Sequence, residues 1–351
     1  MKIITILVLA LIGSFQSEAQ INIQPIDSIV QHAVKNDLFE GTILIAEQGK
    51  PVYHKSFGFK DKGKVKPIEN STRFSIASIT KMFTAIVILE LVEERRIQLS
   101  DPVSALLPEL KIPNAENITV HHLLLHISGL PNESDNFYKK RKAPIQFVST
   151  TLSNSFHTID EFNYANIDYV LLGLIIEKYD KTSWEKSVQR RILEKLKMDE
   201  TGFLKKGIYP GNFAYTFSCN EDGKRLADPL LNIENYYAAG CMYSTAEDLI
   251  KLDQAMYTDE LLTEKSKQLM YTSYPKYNYS GYSVWTYNYP FAGSQPRVME
   301  RRGGILGATA VLIRMLDTNK TIVILSNNNQ FNPDSFGNTL GLKEALMIEI
   351  D

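Results

Sequence analysis

Ser78 and Lys81 stand three residues apart in "SIASITKM" (75–82), immediately before a long apolar stretch. A serine hydroxyl is a poor nucleophile until a base lies within hydrogen-bonding reach. If Ser78 opens a helix, Lys81 lies one turn on, on the same face. The start of a helix also offers free N–H groups and a partial positive charge. These would serve an oxyanion and help keep a buried lysine neutral enough to accept a proton. Phe74 and Met82 would supply an apolar surround. The same segment also reads as an ordinary helix start, with Ser75 or Ser78 as the cap. Spacing does not decide between them, because Ser183–Lys186 and Ser273–Lys276 repeat it.

Two further stretches supply what a Ser-Lys pair would need. "FNYANIDYVLLGLIIEKY" (162–179) contains Tyr164-Ala165-Asn166, and among the 18 tyrosines only Tyr164 has Asn two residues later. A phenol can relay protons once a nearby cation lowers its pKa. An amide can donate to a substrate carbonyl and hold the lysine. "ERRGGILGATAVLI" (300–313) is cationic, then glycine-rich, then strand-like. Gly303 and Gly304 would let substrate backbone approach a strand edge, and the Gly304 N–H could complete an oxyanion hole with the Ser78 N–H.

The elements that must position these residues can be read from periodicity. Residues 26–36 have helical spacing. "GTILIAEQGKPVYHKSFGF" (41–59) is two strand-like runs around a turn. Residues 79–96 predict a helix that is apolar on one broad face. Residues 101–234 are mostly helical and loop-like. Strand patterns return at 282–289, 308–316 and 320–328, and a closing helix follows at 340–350. Strands at both ends with helices between predict an α+β fold of three layers, α/β/α. It would hold one antiparallel sheet flanked by helices, with an inserted all-helical subdomain. The expected division is a signal segment at 1–19, a sheet subdomain at about 20–85 and 235–351, and a helical subdomain at about 86–234.

The 351 residues carry 38 basic and 40 acidic side chains, a net charge of −2 that gives no reason to expect a nucleic-acid partner. The run "KKRK" (139–142) reads as a solvated loop. Lys2 followed by the apolar run 3–13 reads as a secretory signal cleaved after Ala19. That run is well short of the roughly 20 apolar residues needed to span a bilayer. The expectation is a periplasmic or secreted protein without stable membrane insertion. The two cysteines, Cys219 and Cys241, could form a disulfide outside the cytoplasm or stay buried thiols. His121, His122 and His126 lack acidic or cysteine partners at metal-ligand spacing, so no metal site is expected. No G-x-S-x-G occurs. The tyrosines of 271–289 could line a cleft, but such residues more often pack a strand.

With these segments in view, the chain resembles the serine β-lactamase and penicillin-binding-protein superfamily, in its class C-like branch. "RFSIASITKMFTA" (73–85) is similar to the first motif of that superfamily, with Ser78 and Lys81 at its functional positions. "LSDPVSALLPEL" (99–110) and "ITVHHLLLHISGLP" (118–131) resemble the segments that follow. "YANIDYVLLGLIIEK" (164–178) is similar to the second motif and assigns Tyr164 and Asn166. "AAGCMYSTAEDLIKL" (238–252) resembles a structural stretch, with Cys241 where glycine is usual. The resemblance implies an acyl-enzyme serine hydrolase that needs no cofactor. Ser78, Lys81 and Tyr164 would be catalytic; Asn166, Arg301, Gly303 and Gly304 would bind substrate or its oxyanion.

The third motif departs from the usual Lys-Thr-Gly or His-x-Gly, reading Arg301-Arg302-Gly303. An arginine keeps its charge but cannot shuttle a proton. Electrostatic support of Tyr164 and attraction for a substrate carboxylate could survive, with Arg302 as a second cation. The expected partner is therefore a small-molecule or peptide substrate, with a carboxylate favoured. The expected activity is hydrolysis of a D-amino-acid peptide, a β-lactam or a small ester. The alternative is a penicillin-recognising or peptidoglycan-binding protein with little or no turnover. A structural protein on the same fold would have no use for Ser78, Lys81, Tyr164 and Asn166 together.

Overall fold

A computed structural model describes residues 21–351. The expected signal segment, 1–19, lies outside the described residues. The chain opens with α1 (Ile23–Lys35), whose first turn is capped by the Asn22 side chain accepting from the Gln24 N–H. Ile26, Val30 and Ala33 are its buried residues, spaced as one helix face requires.

The main sheet is built from both ends of the chain, as the strand patterns predict. β1 (Gly41–Glu47) and β2 (Lys50–Phe57) form the first hairpin. The two-residue strand β3 (Phe74–Ser75), β4 (Gly202–Phe203), β5 (Phe217–Cys219), β6 (Arg225–Ala227) and β7 (Met242–Ser244) lie outside the main sheet. β8 (Trp285–Asn288), β9 (Arg297–Ile305), β10 (Ala308–Met315) and β11 (Lys320–Ser326) complete it. Its order is β2-β1-β11-β10-β9-β8, antiparallel throughout.

Both faces of this sheet are covered, and the period of two in its strands shows how. On one face Ile43, Ile45, Val311, Ile313, Ile322 and Ile324 pack with Ile26 and Val30 of α1, and with Leu346 and Met347 of α10 (Leu342–Glu349). On the other, Leu44, Ala46, Ala310, Leu312, Val323 and Leu325 join a larger core. That core is shared with α2 (Thr80–Glu93), α6 (Asn166–Asp180) and α8 (Ala246–Ala255). The short helices α3 (Val103–Leu106), α4 (Val120–Leu125), α5 (Pro144–Thr151), α7 (Trp184–Val188) and α9 (Glu264–Met270) complete the described set.

One expectation is corrected here. The segment 79–96 was expected to be apolar on one face, yet α2 is buried on every side from Thr80 to Leu91. It packs against α6, α7, α9 and the 233–239 segment. A surface helix shows a stripe; a helix inside a core does not. Ser78 does not open α2 either. It sits in a single 3-10 turn, Ala77–Ile79, two residues before the helix starts at Thr80.

Among the described residues, no helix is long and apolar enough to cross a membrane. Cys219 is half-buried and Cys241 buried, and both are free, so the structure carries no Cys219–Cys241 disulfide. Of the tyrosines at 271–289, Tyr271, Tyr282 and Tyr289 are buried packing residues. Tyr279 and Tyr287 instead line a cavity of about 710 Å³ along β8, beside Trp285 and Arg302.

Candidate active site

Three segments distant in the chain meet at the start of α2. Ala77 holds φ at +43°, a left-handed conformation rare for a residue with a Cβ. Such a conformation costs on the order of 1–3 kcal/mol and persists only where packing imposes it. It turns the backbone so that Ser78 follows on the tight turn and Lys81 falls in the first turn of α2.

Lys81 is fully buried. Its Nζ lies 3.1 Å from Ser78 Oγ, 2.8 Å from Asn166 Oδ1 and 2.8 Å from the Ala239 carbonyl oxygen. That carbonyl is delivered by a kink at Tyr237 (φ 42°, ψ −129°), which also places the Ala238 carbonyl to accept from the Thr84 hydroxyl at 2.8 Å. Burial pulls the Lys81 amine down from 10.5 to about 8, and the Arg301 charge pulls the same way against Tyr164 and Glu133. An uncharged amine here can donate two N–H groups, to Asn166 and Ala239. Its lone pair then faces the serine hydroxyl.

Tyr164 comes from the loop that ends at Ala165, just before α6; Asn166 is the first residue of that helix. The Tyr164 side chain is partly buried. Burial alone would raise its pKa, but Arg301 and then Lys81 overcome this and bring it down to about 8. Its hydroxyl also interacts with Lys81 and Ser78. Its ring lies against the His126 ring at 4.3 Å and faces Trp285 at 6.3 Å.

Arg301, on β9, is buried to 1% exposure. Its Nη2 donates to the Tyr164 hydroxyl at 2.7 Å and its Nε to the Ser78 carbonyl at 2.8 Å. The expected attraction of this cation for a substrate carboxylate therefore has no free donor face at these two arms. Arg302 is committed elsewhere as well: it pairs with Asp334, lies 3.5 Å from Glu300, and covers the Trp285 ring at 4.6 Å.

The two glycines of β9 differ. A Cβ on Gly303 would meet the Ile76 carbonyl oxygen at 2.3 Å and the Ser78 nitrogen at 3.1 Å. Gly303 thus allows the protein's own backbone to close on the nucleophile turn, not the substrate's to approach. A Cβ on Gly304 would meet nothing within 4 Å, so this residue faces the open cleft. β8 pairs with β9 only from Arg297 to Glu300, which leaves the edge at 301–305 without a strand neighbour on that side.

Sequence reasoning missed several participants. His126 has φ +60° at the end of α4, and its Nδ1 lies 2.9 Å from Asp168 Oδ2; the Ser128 hydroxyl donates to the other Asp168 oxygen at 2.5 Å. Burial drives His126 well down and Asp168 well up, both toward their uncharged forms. His121 contacts the Tyr282 hydroxyl and His122 caps α4, so the three histidines do not converge. Among the described residues no group of three or more His, Cys, Asp or Glu could hold a metal ion. Glu133 Oε1 accepts from Asn166 Nδ2 at 2.7 Å. Its segment adjoins the "SGLP" stretch, but nothing in the residue types announced the contact.

A family model described as Beta-lactamase matches residues 26–346. The chain belongs to the Beta-lactamase family. The resemblance drawn from its motifs stands, and so does the α+β fold with an antiparallel sheet. The chain is similar to Penicillin-binding protein 4* of Bacillus subtilis, 28% identical over 83% of this chain and 69% of that protein. It is also similar to Protein flp of Staphylococcus aureus, 32% identical over 64% of this chain, and spans about half (47%) of that protein's length. The D-amino acid amidase of Ochrobactrum anthropi SV3, solved with L-phenylalanine amide, shares the fold. It has a TM-score of 0.79 at 21% identity, over 93% of this chain and 96% of that one. The superfamily comprises serine hydrolases and penicillin-binding proteins. Membership gives the coarse chemistry, and the site must argue the rest.

Proposed function

We propose that the protein is an exported serine hydrolase working by acyl transfer on amide or ester substrates. The observation that carries this reading is the buried Lys81 amine 3.1 Å from the Ser78 hydroxyl. Ser78 Oγ attacks the substrate carbonyl, and its proton passes to the Lys81–Tyr164 pair. The pair then protonates the leaving amine or alcohol. Water enters and attacks the acyl carbon, giving its proton to the same pair, and the pair returns that proton to Ser78 Oγ as the ester bond breaks and the acid product leaves. The developing oxyanion is held by the Ser78 and Gly304 N–H groups. Asn166 orients Lys81 and the substrate carbonyl side, while Arg301 holds Tyr164 toward the reacting atoms. No cofactor enters these steps.

The names of the relatives support an amino-acid amide or a β-lactam as the substrate class. A peptidase, amidase or esterase is favoured over an efficient β-lactamase, because the Arg301 guanidinium stays protonated and cannot shuttle a proton. Intact-protein mass spectrometry against β-lactams, D-Ala-D-Ala peptides and p-nitrophenyl esters tests this. A transient acyl adduct that turns over supports a hydrolase. A permanent adduct from every ligand supports the alternative, a penicillin-recognising protein with little turnover.

A further inference from the structure

Two loops present aliphatic side chains to solvent among lysines. In the first, 60–66, Val65 is 75% exposed and Lys62, Lys64 and Lys66 are exposed around it. In the second, 205–209, Ile208 is 67% exposed and follows the exposed Lys205 and Lys206. Neither tip owes its exposure to a loose backbone. The Asp61 carboxylate accepts from the Gly63, Val65 and Lys66 N–H groups, and the Lys60 N–H reaches the Lys66 carbonyl at 2.7 Å. The Ile208 N–H closes a turn on the Lys205 carbonyl at 3.0 Å.

The two loops belong to one surface. Lys60 Nζ donates to Asn212 Oδ1 at 2.7 Å, and the Tyr215 N–H donates to the Lys60 carbonyl at 2.8 Å. A cavity has Val65 and Lys66 on one wall and Phe213 and Tyr215 on the other. The Tyr209 ring packs on Phe213 and on Tyr215, each at 5.1 Å. A second cavity shares these three rings and continues past Leu230 to Ile305 and Leu306, at the end of β9. Tyr215, Leu230 and Leu306 are themselves exposed. A single exposed apolar side chain is ordinary, but a contiguous set marks an interaction surface.

The charge of this surface is positive, against a net charge of −2 for the whole chain. Asp61 is spent on its own loop, and Glu69 pairs with Lys60 at 3.5 Å. Lys62, Lys64, Lys66, Lys205 and Lys206 form no ion pair among the described residues. Aliphatic tips, tyrosines and free lysines match the levels of an anionic lipid interface: the acyl boundary, the headgroup layer and the phosphates. Val65 and Ile208 project from separate tips with lysines beside each, which suits a fluid surface that yields to both.

We propose that this surface docks the folded protein peripherally on a bilayer with anionic headgroups, with Val65 and Ile208 at the acyl boundary and the lysines on the phosphates. The surface borders the end of β9, so docking holds the cleft close to the membrane. The proposal does not depend on Ser78 being the nucleophile.

The test follows hydrogen exchange of the full chain by mass spectrometry, with vesicles of phosphatidylcholine and of phosphatidylglycerol. Phosphatidylglycerol is expected to slow exchange at 61–66 and 205–209, and added salt to reverse it. Reading the two loops directly keeps any vesicle contact of residues 1–19 out of the result. The double variant Val65→Asp, Ile208→Asp is expected to bind these vesicles roughly 10-fold more weakly or worse, with unchanged melting and unchanged turnover of a soluble ester. Lys205→Glu with Lys206→Glu supplies the same comparison where the first variant does not fold. Unchanged exchange at both loops, equal slowing by phosphatidylcholine, or equal slowing in the variants overturns the proposal. Slowing by soluble polyphosphate with none by vesicles also overturns it, and assigns the lysines to a soluble polyanion.

Discussion

Arg301 ties Tyr164 to the nucleophile turn: one guanidinium donates to the phenol oxygen at 2.7 Å and to the Ser78 carbonyl at 2.8 Å. Two bonds from one rigid fork hold two distant segments in register, which a single ammonium on a flexible stem does not reproduce. Arg301→Lys is therefore expected to lower kcat/KM roughly 10- to 100-fold, the worth of a charge-assisted hydrogen bond. Because the charge is kept, the pH at which activity rises should change little. Steady-state kinetics across pH checks both halves of this statement.

The Lys81–Tyr164 pair sets the pH dependence. Lys81 is brought down to about 8 by burial; Tyr164 reaches about 8 because Arg301 and Lys81 outweigh its burial. The first proton lost belongs to the pair. A base must lose its proton before it can accept one from Ser78, so kcat/KM should rise as pH climbs through about 8. Arg301 lowers both groups, and Arg301→Met should move that rise to higher pH. A profile flat from pH 6 to 9 in the wild type contradicts this account.

Replacing Arg301 with histidine separates the hydrolase from the non-turnover alternative. An imidazole is mostly uncharged near pH 8, so Arg301→His should lose activity much as Arg301→Met does. A large gain in esterase activity at unchanged ligand affinity would instead favour the protein that binds without turning over.

Gly303 and Gly304 are adjacent but should fail differently. Gly303→Ala drives a methyl into the Ile76 carbonyl and against the Ser78 nitrogen. A loss of about 1–3 kcal/mol in stability is expected, as for other forced overpacking. Gly304→Ala meets no protein atom, so it should melt with the wild type and lose turnover because its methyl stands in the cleft. Thermal denaturation with parallel kinetics distinguishes them.

Much of the architecture was legible because it is written in periodicity. Residues alternating in β1, β10 and β11 divide between two cores, and that pattern of two predicts a sheet with covered faces. α2 was misread as a one-sided helix because a helix inside a core has no polar face to betray its orientation. The strands β3 to β7 are two or three residues long, too short for any alternation to register. At the site, hydrogen bonds link Ser78, Lys81, Asn166, Arg301 and Tyr164, and Gly303 packs on the Ser78 turn. The Ala239 carbonyl was invisible because backbone atoms leave no mark in residue type; it depends on the Tyr237 kink. Glu133 and His126 act through tertiary contacts with the start of α6, and no spacing along the chain encodes those.

The most direct measurement is the site of covalent capture. The protein is treated with a fluorophosphonate or a fluorescent penicillin, and the modified peptide is mapped by mass spectrometry in wild type and Ser78→Ala. The account predicts a single adduct on Ser78, its complete loss in the variant, and a fall in turnover on the order of a thousandfold or more. An adduct that persists unchanged in Ser78→Ala, or that maps to another residue, would contradict it.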